Sequence, residues 1–163
     1  MADLFGEWVS QEWIDAVLRE VRKAPHWTYI FLTKNPERLA EIDWPANAWV
    51  GATVDGQARI ERTEQAFREI KASVKFVSCE PLLERIVFSS LDLFDWLIIG
   101  ARSKNSRLPA FQPAGEWIRA LIGQAREAGA KVYVKPNVSS HLFSQIKEYP
   151  ELRQPAFSQG VLL

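Results

Sequence analysis

Five short apolar runs, each ending in polar residues and followed by a helical pattern, organise the chain. They are Tyr29–Lys34, Ala48–Thr53, Val74–Glu80, Asp95–Gly100 and Lys131–Lys135. Near-continuous apolar runs separated by helices predict parallel strands joined by crossovers. Before the first run, Ser10 stands where a helix cap belongs. Ile14, Val17, Leu18 and Val21 then follow the i, i+3, i+4, i+7 rule, and Pro25 ends the pattern. Pro36 opens a short helix to Glu41, and a longer one carries Ile60, Phe67 and Ile70 on one face. Residues 81–90 read as irregular. Pro113 suits the first turn of a helix striped by Trp117, Ile118, Leu121, Ile122 and Ala125, with Gly129 as its C-terminal cap. Leu142, Phe143 and Ile146 mark a last helix, and residues 150–163 read as a C-terminal tail.

Right-handed crossovers wind such βα units in one direction. Two architectures satisfy this pattern: an open doubly wound sheet, or an arc of a (β/α) barrel. Every strand end carries a polar cluster, whereas a doubly wound sheet needs one only near its switch point. The expectation is therefore α/β, a partial (β/α) barrel of about five parallel strands forming a single domain over residues 1–163.

Composition narrows the function more by exclusion than by suggestion. Twenty basic and twenty acidic residues cancel, with no basic block, so general electrostatic binding to nucleic acid has no support. No apolar run reaches the roughly 18 residues of a membrane span, and Met1–Phe5 is not a signal peptide. A single cysteine excludes an intrachain disulfide and any thiolate-only metal site built by this chain alone, and it fits a reducing cytoplasm. The seven tryptophans are spread along the chain and read as wall and core residues.

The strand ends supply the candidate chemistry: Thr33, Lys34, Thr53, Asp55, Ser78, Glu80, Arg102, Ser103 and Lys135. Strand alternation places Ser78 and Glu80 on one face and Cys79 on the other. Glu80 reads either as a carboxylate for a substrate amine, ribose or proton, or as the partner of Lys34 or Lys135 in an ion pair. The two lysines suit an anionic ligand, or serve only as rim cations. Asp55 before Gly56 has the look of a turn or cap residue. Cys79 reads as a small buried apolar side chain. His26 and His141 have no metal-ligand spacing to a neighbour, and no Gly-rich phosphate loop or nucleophile elbow occurs.

Several segments together resemble a phage-associated, radical-SAM-like family of the three-cysteine-loop type, itself similar to spore-photoproduct-lyase-like enzymes. They are Asp3-Leu4-Phe5, Leu32-Thr33-Lys34-Asn35-Pro36-Glu37-Arg38, Trp49–Asp55, Arg59-Ile60, Phe76–Leu83 and Asp95–Gly100, in that order and over nearly the whole chain. The resemblance implies a partial (β/α) barrel, S-adenosylmethionine and a four-iron four-sulfur cluster held by a Cys-x-x-x-Cys-x-x-Cys loop. By analogy it extends to nucleic acid as substrate. The three-cysteine loop and its strand are missing from this chain, whose start corresponds to the loop after the family's next strand. The rim also departs from the family. Gly100-Ala101-Arg102-Ser103-Lys104 replaces a Gly-Gly-Glu-Ser-Gly, and Lys135-Pro136-Asn137 replaces a Lys-Gln-Trp.

The expectation is the C-terminal portion of a radical-SAM-like barrel, inactive alone and binding no cofactor by itself. The alternative is a non-catalytic module that takes a phosphate-bearing or nucleotide ligand at the strand-end rim. A cofactor-independent enzyme using Glu80 with Lys34 or Lys135 is the third reading. In each, an unpaired strand edge predicts a homo-oligomer or a complementing chain.

Overall fold

The computed structural model describes residues 3–151. Helix α1 (Gln11–Lys23) leads into β1 (Tyr29–Thr33), followed by a 3-10 turn at Pro36–Leu39 and β2 (Ala48–Thr53). Helix α2 (Ile60–Glu69), β3 (Val74–Cys79), a 3-10 turn at Leu91–Leu93 and β4 (Trp96–Ile99) come next. Helix α3 (Gly115–Glu127), β5 (Lys131–Val134) and the one-turn α4 (His141–Ser144) complete the series. Each strand lies within a residue or two of the run that predicts it. Residues 152–163, most of the expected tail, lie outside the described residues.

All four strand pairings are parallel, in the order β1-β2-β3-β4-β5. A doubly wound sheet reverses its strand order and carries helices on both faces. Here the order never reverses and the helices share one face. Their buried residues, among them Ile14, Leu18, Phe67, Ile118 and Leu121, form one core with Val50, Ala52, Val77, Cys79, Leu97, Ile99, Val132 and Val134. The opposite face holds a separate cluster of Trp49, Val74, Phe76 and Trp96, joined by Ile98 and Tyr133. The sheet is open, and among the described residues no helix covers this second face. Among the described residues, no helix is long and apolar enough to cross a membrane.

Local details depart from the sequence pattern where a backbone partner outcompetes it. Ser10 precedes α1, but its hydroxyl makes no capping bond; its carbonyl accepts from Trp13 and Ile14 instead. Helix α3 starts at Gly115, so Pro113 lies just outside the first turn. Gly129 does end α3, at φ +76°, where a side chain would be strained.

The two edges of the sheet are treated differently. Ile146 does not continue α4. It accepts from the Val134 N–H, and the Glu148 N–H donates to Val132, so residues 146–148 run antiparallel along the outer edge of β5. The Glu148 carboxylate fastens this strip by accepting from the Val132 N–H at 2.9 Å and from both terminal guanidinium nitrogens of Arg126, Nη1 and Nη2. At the other edge, no strand lies beyond β1 among the described residues.

Candidate functional site

Cross-strand register builds the helix-free face row by row. Leu32, Gly51, Phe76 and Trp96 form one row; Thr53, Ser78, Ile98 and Tyr133 form the next, toward the carboxyl ends of the strands. Gly51 is required because Phe76 lies over it: a Cβ there would meet the phenyl ring at 2.4 Å. Trp96 is the hub of an aromatic floor, with ring centroids 5.7 Å from Trp49, Phe76 and Tyr149 and 6.1 Å from Tyr133. Its indole N–H donates to the Glu148 carbonyl at 3.0 Å, which satisfies the polar end of an otherwise buried ring.

Above this floor lies a cavity of about 310 Å³, lined by Ile30, Leu32, Phe76, Ser78, Glu80, Trp96, Ile98, Tyr133, Lys135 and Tyr149. Its volume is at the small end for a ligand site, and its make-up is the usual one: apolar walls with few polar groups. Those groups gather at the carboxyl end of the sheet. Glu80 follows β3 and Lys135 follows β5, and Lys135 Nζ donates to Glu80 Oε2 at 2.7 Å. Between them runs β4, where Gly100 makes room for the Glu80 side chain; a Cβ there would stand 2.8 Å from Glu80 Cγ.

Of the nine strand-end candidates, Ser78, Glu80 and Lys135 line the cavity together, and Thr53 sits beside Ser78 in register. Alternation holds for Ser78 and Glu80, with Cys79 fully buried on the helix side. Burial there, together with the Asp55 charge, pushes its thiol far up.

The other candidates lie outside this cavity. Thr33 is buried and donates to Asp3 Oδ2 at 2.7 Å; the Lys34 N–H donates to the same oxygen at 3.0 Å. The side chain of Lys34 pairs with Asp55 at 3.2 Å, and Arg59 pairs with Asp55 at 2.6 Å. Burial works to raise the Asp55 carboxyl, but the hydrogen bonds and charges of Arg59 and Lys34 outweigh it and leave it below its ordinary value. Arg102 turns into its own loop, donating to the Pro109 carbonyl at 3.0 Å with its guanidinium over the Phe111 ring. Ser103 is exposed and faces Asn137, which clamps the β4 and β5 loops through the Ala101 N–H and carbonyl.

Two structural features were not anticipated from the sequence. One is the aromatic floor, in which Tyr149 lines the cavity beside Tyr133. The other is Glu64, a buried carboxylate on α2 that holds the irregular segment by accepting from the Ser89 and Ser90 N–H groups.

Residues 1–147 match the family model described as protein of unknown function (DUF5131). The chain belongs to this family. The match spans all five strands and every strand-end residue named above, and it stops before Glu148 and Tyr149. No curated protein and no solved structure matches the chain.

Proposed function

We propose that the five strands are an arc of a (β/α) barrel of the radical-SAM-like kind, and that the open aromatic face binds a nucleotide-like ligand that this chain does not itself cleave. Consecutive parallel order with helices on one side is what an arc of such a barrel has, and barrel ligands sit at the carboxyl ends of strands. The observation that carries the reading is the Glu80–Lys135 pair at 2.7 Å, placed at the carboxyl end of a floor made of Phe76, Trp96, Tyr133 and Tyr149. Flat rings stack on such side chains. Glu80 can accept from a ribose hydroxyl or an ammonium, and Lys135 can meet a phosphate or carboxylate.

The residues do not fit an iron–sulfur cluster. Such a cluster takes several thiolates, and the one cysteine, Cys79, is buried on the helix side with its thiol held protonated. S-adenosylmethionine itself carries a purine, a ribose and an amino-acid head, and so has the groups this face can take.

Calorimetric titration with S-adenosylmethionine, S-adenosylhomocysteine, adenosine phosphates and inorganic phosphate tests the reading, with tryptophan fluorescence reporting on Trp96. An adenosine-bearing ligand should bind, remain chemically intact and lose about tenfold or more in affinity in Glu80→Gln and in Lys135→Met. Absence of binding by every adenosine-bearing ligand would sink the proposal.

A further inference from the structure

Two hydroxyls at the cavity have nothing in the protein to bond. Ser78 is 2% exposed and Thr53 7%, and they stand side by side in register on the helix-free face. Among the described residues neither hydroxyl has a hydrogen-bond partner. Every side-chain oxygen or nitrogen fully sealed from solvent there does have one, so these two keep a narrow opening, which for Ser78 is the cavity it lines. Thr33 shows how the fold treats a buried hydroxyl that it uses for itself. It is as deeply buried as Ser78, at the end of β1, and donates to Asp3 Oδ2 at 2.7 Å. The indole N–H of Trp96 and the carboxylate of Glu80 on the same face are paired as well.

A buried hydroxyl without a partner has given up water for nothing, so the fold keeps it at a cost. Valine at 53 and alanine at 78 would occupy the same space without that cost. The place of the two hydroxyls in the sheet decides what can reach them. Rows on one face of a sheet lie about 7 Å apart. Phe76 and Trp96 form the row below the hydroxyls, and Glu80 and Lys135 stand one row above. A ring stacked on Phe76 and Trp96 lies flat against the sheet and brings its edge to the hydroxyl row. A puckered sugar stands off from such a surface and belongs with the ion pair at the rim.

Resting on the nucleotide-like reading of this cavity, we infer that Ser78 and Thr53 read the hydrogen-bonding edge of the ligand's ring. Each hydroxyl rotates to donate or accept, and adjacent strands hold the two about 5 Å apart. Together they meet a ring nitrogen and the exocyclic amine or carbonyl beside it. Two rotatable hydroxyls do not sort one such edge from another. They select heterocycles that have an edge of this kind over aromatic rings that have none, because an apolar edge would leave both hydroxyls dry and unpaired.

Calorimetric titration of the full chain tests this with adenosine, 2′,3′-dideoxyadenosine and benzimidazole riboside, whose six-membered ring carries no nitrogen and no exocyclic group. The parent should bind adenosine about tenfold or more tighter than benzimidazole riboside. The double variant Thr53→Val with Ser78→Ala should lose adenosine affinity by a similar factor, hold benzimidazole riboside as before, and so abolish the preference. Dideoxyadenosine should follow adenosine. In urea the double variant should unfold at a midpoint no lower than the parent's, since no bond within the protein is lost. Equal binding of adenosine and benzimidazole riboside by the parent, or a preference that survives the double change, overturns the inference and leaves the stacking reading standing. A loss confined to ligands with sugar hydroxyls overturns it too, as does a lowered urea midpoint, which would show that the hydroxyls hold the fold. Absence of binding by every adenosine-bearing ligand removes the nucleotide reading and this inference with it.

Discussion

Glu80 reaches Lys135 by lying across Gly100, so the ion pair spans β3 to β5 over a strand whose end has no side chain in the way. A methyl group at position 100 would stand 2.8 Å from Glu80 Cγ and 3.0 Å from its carboxylate. Gly100→Ala should therefore swing Glu80 off Lys135. Overpacking at a partly open site should cost about 1 kcal/mol of stability, while ligand affinity should fall by roughly tenfold, as for loss of one charged hydrogen bond. Thermal unfolding and ligand titration of the same variant read the two effects. An unchanged affinity would show that the pair is only structural.

Gly51 makes a parallel case lower on the same face, where the Phe76 ring fills the space a side chain would take. Phe76 is buried and sits in the aromatic cluster, so it has little freedom to move aside. Gly51→Ala should destabilise by about 1–3 kcal/mol. Adding Phe76→Leu should recover part of that loss, because the two changes share one volume and will not add. Denaturant titrations of the two single variants and the double variant give the coupling; strict additivity would refute the contact.

Much of this face is written in the strand sequences in a form that composition conceals. Trp49-x-Gly51-x-Thr53, Phe76-x-Ser78-x-Glu80, Trp96-x-Ile98-x-Gly100 and Tyr133-x-Lys135 each put an aromatic residue two positions before a smaller or polar one on the same side of the strand. Read as an alternation, they predict an aromatic floor below a polar rim. Read only as apolar runs, they predict strands and leave the tryptophans as generic core. The strands were legible because a buried parallel sheet needs continuous apolar runs, whereas periodicity alone left their order open between a doubly wound sheet and a barrel arc. Tyr149 was not, since its place depends on residues 146–148 pairing with β5, a long-range contact with no local signature. The roles of Thr33 and Arg102 were hidden for a related reason. Both stand at strand ends, yet Asp3 and Pro109, distant or irregular partners, decide where they point.

Asp3 ties the segment before α1 to the end of β1. It accepts from the Thr33 hydroxyl at 2.7 Å and the Lys34 N–H at 3.0 Å on one oxygen, and from the Phe5 N–H at 3.0 Å on the other. Phe5 is thereby held in the core against Phe31 and Trp44. Asp3→Ala removes these bonds and a further one from Asn35 Nδ2 at 3.3 Å, and it leaves a buried Thr33 hydroxyl without its acceptor, so it should cost about 1–3 kcal/mol. Asp3→Asn keeps an acceptor and should lose less. Equal midpoints for the two variants in urea would show that the carboxylate geometry does not matter.

The antiparallel strip that closes β5 makes the fold sensitive to acid. Hydrogen bonding from Arg126 is the main cause that holds the Glu148 carboxyl below its ordinary value; burial opposes it, and the Val132 N–H and the Arg126 and Lys131 charges add to it. A carboxyl lowered in the folded state contributes stability above its unfolded pKa and loses it as pH falls through the folded one. The contribution is thus complete at neutral pH and disappears below the ordinary carboxylate range. Glu148→Gln should be less stable than the parent by about 1 kcal/mol at neutral pH, a modest value because Arg126 is half exposed. The gap should close on acidification, where the parent too carries a neutral side chain. The same change loosens the strip that carries Tyr149, so Trp96 fluorescence should shift along with stability. Melting curves of both proteins over a pH series decide it: a gap that stays constant or widens in acid would mean that Glu148 is not ionised against Arg126 in the folded chain.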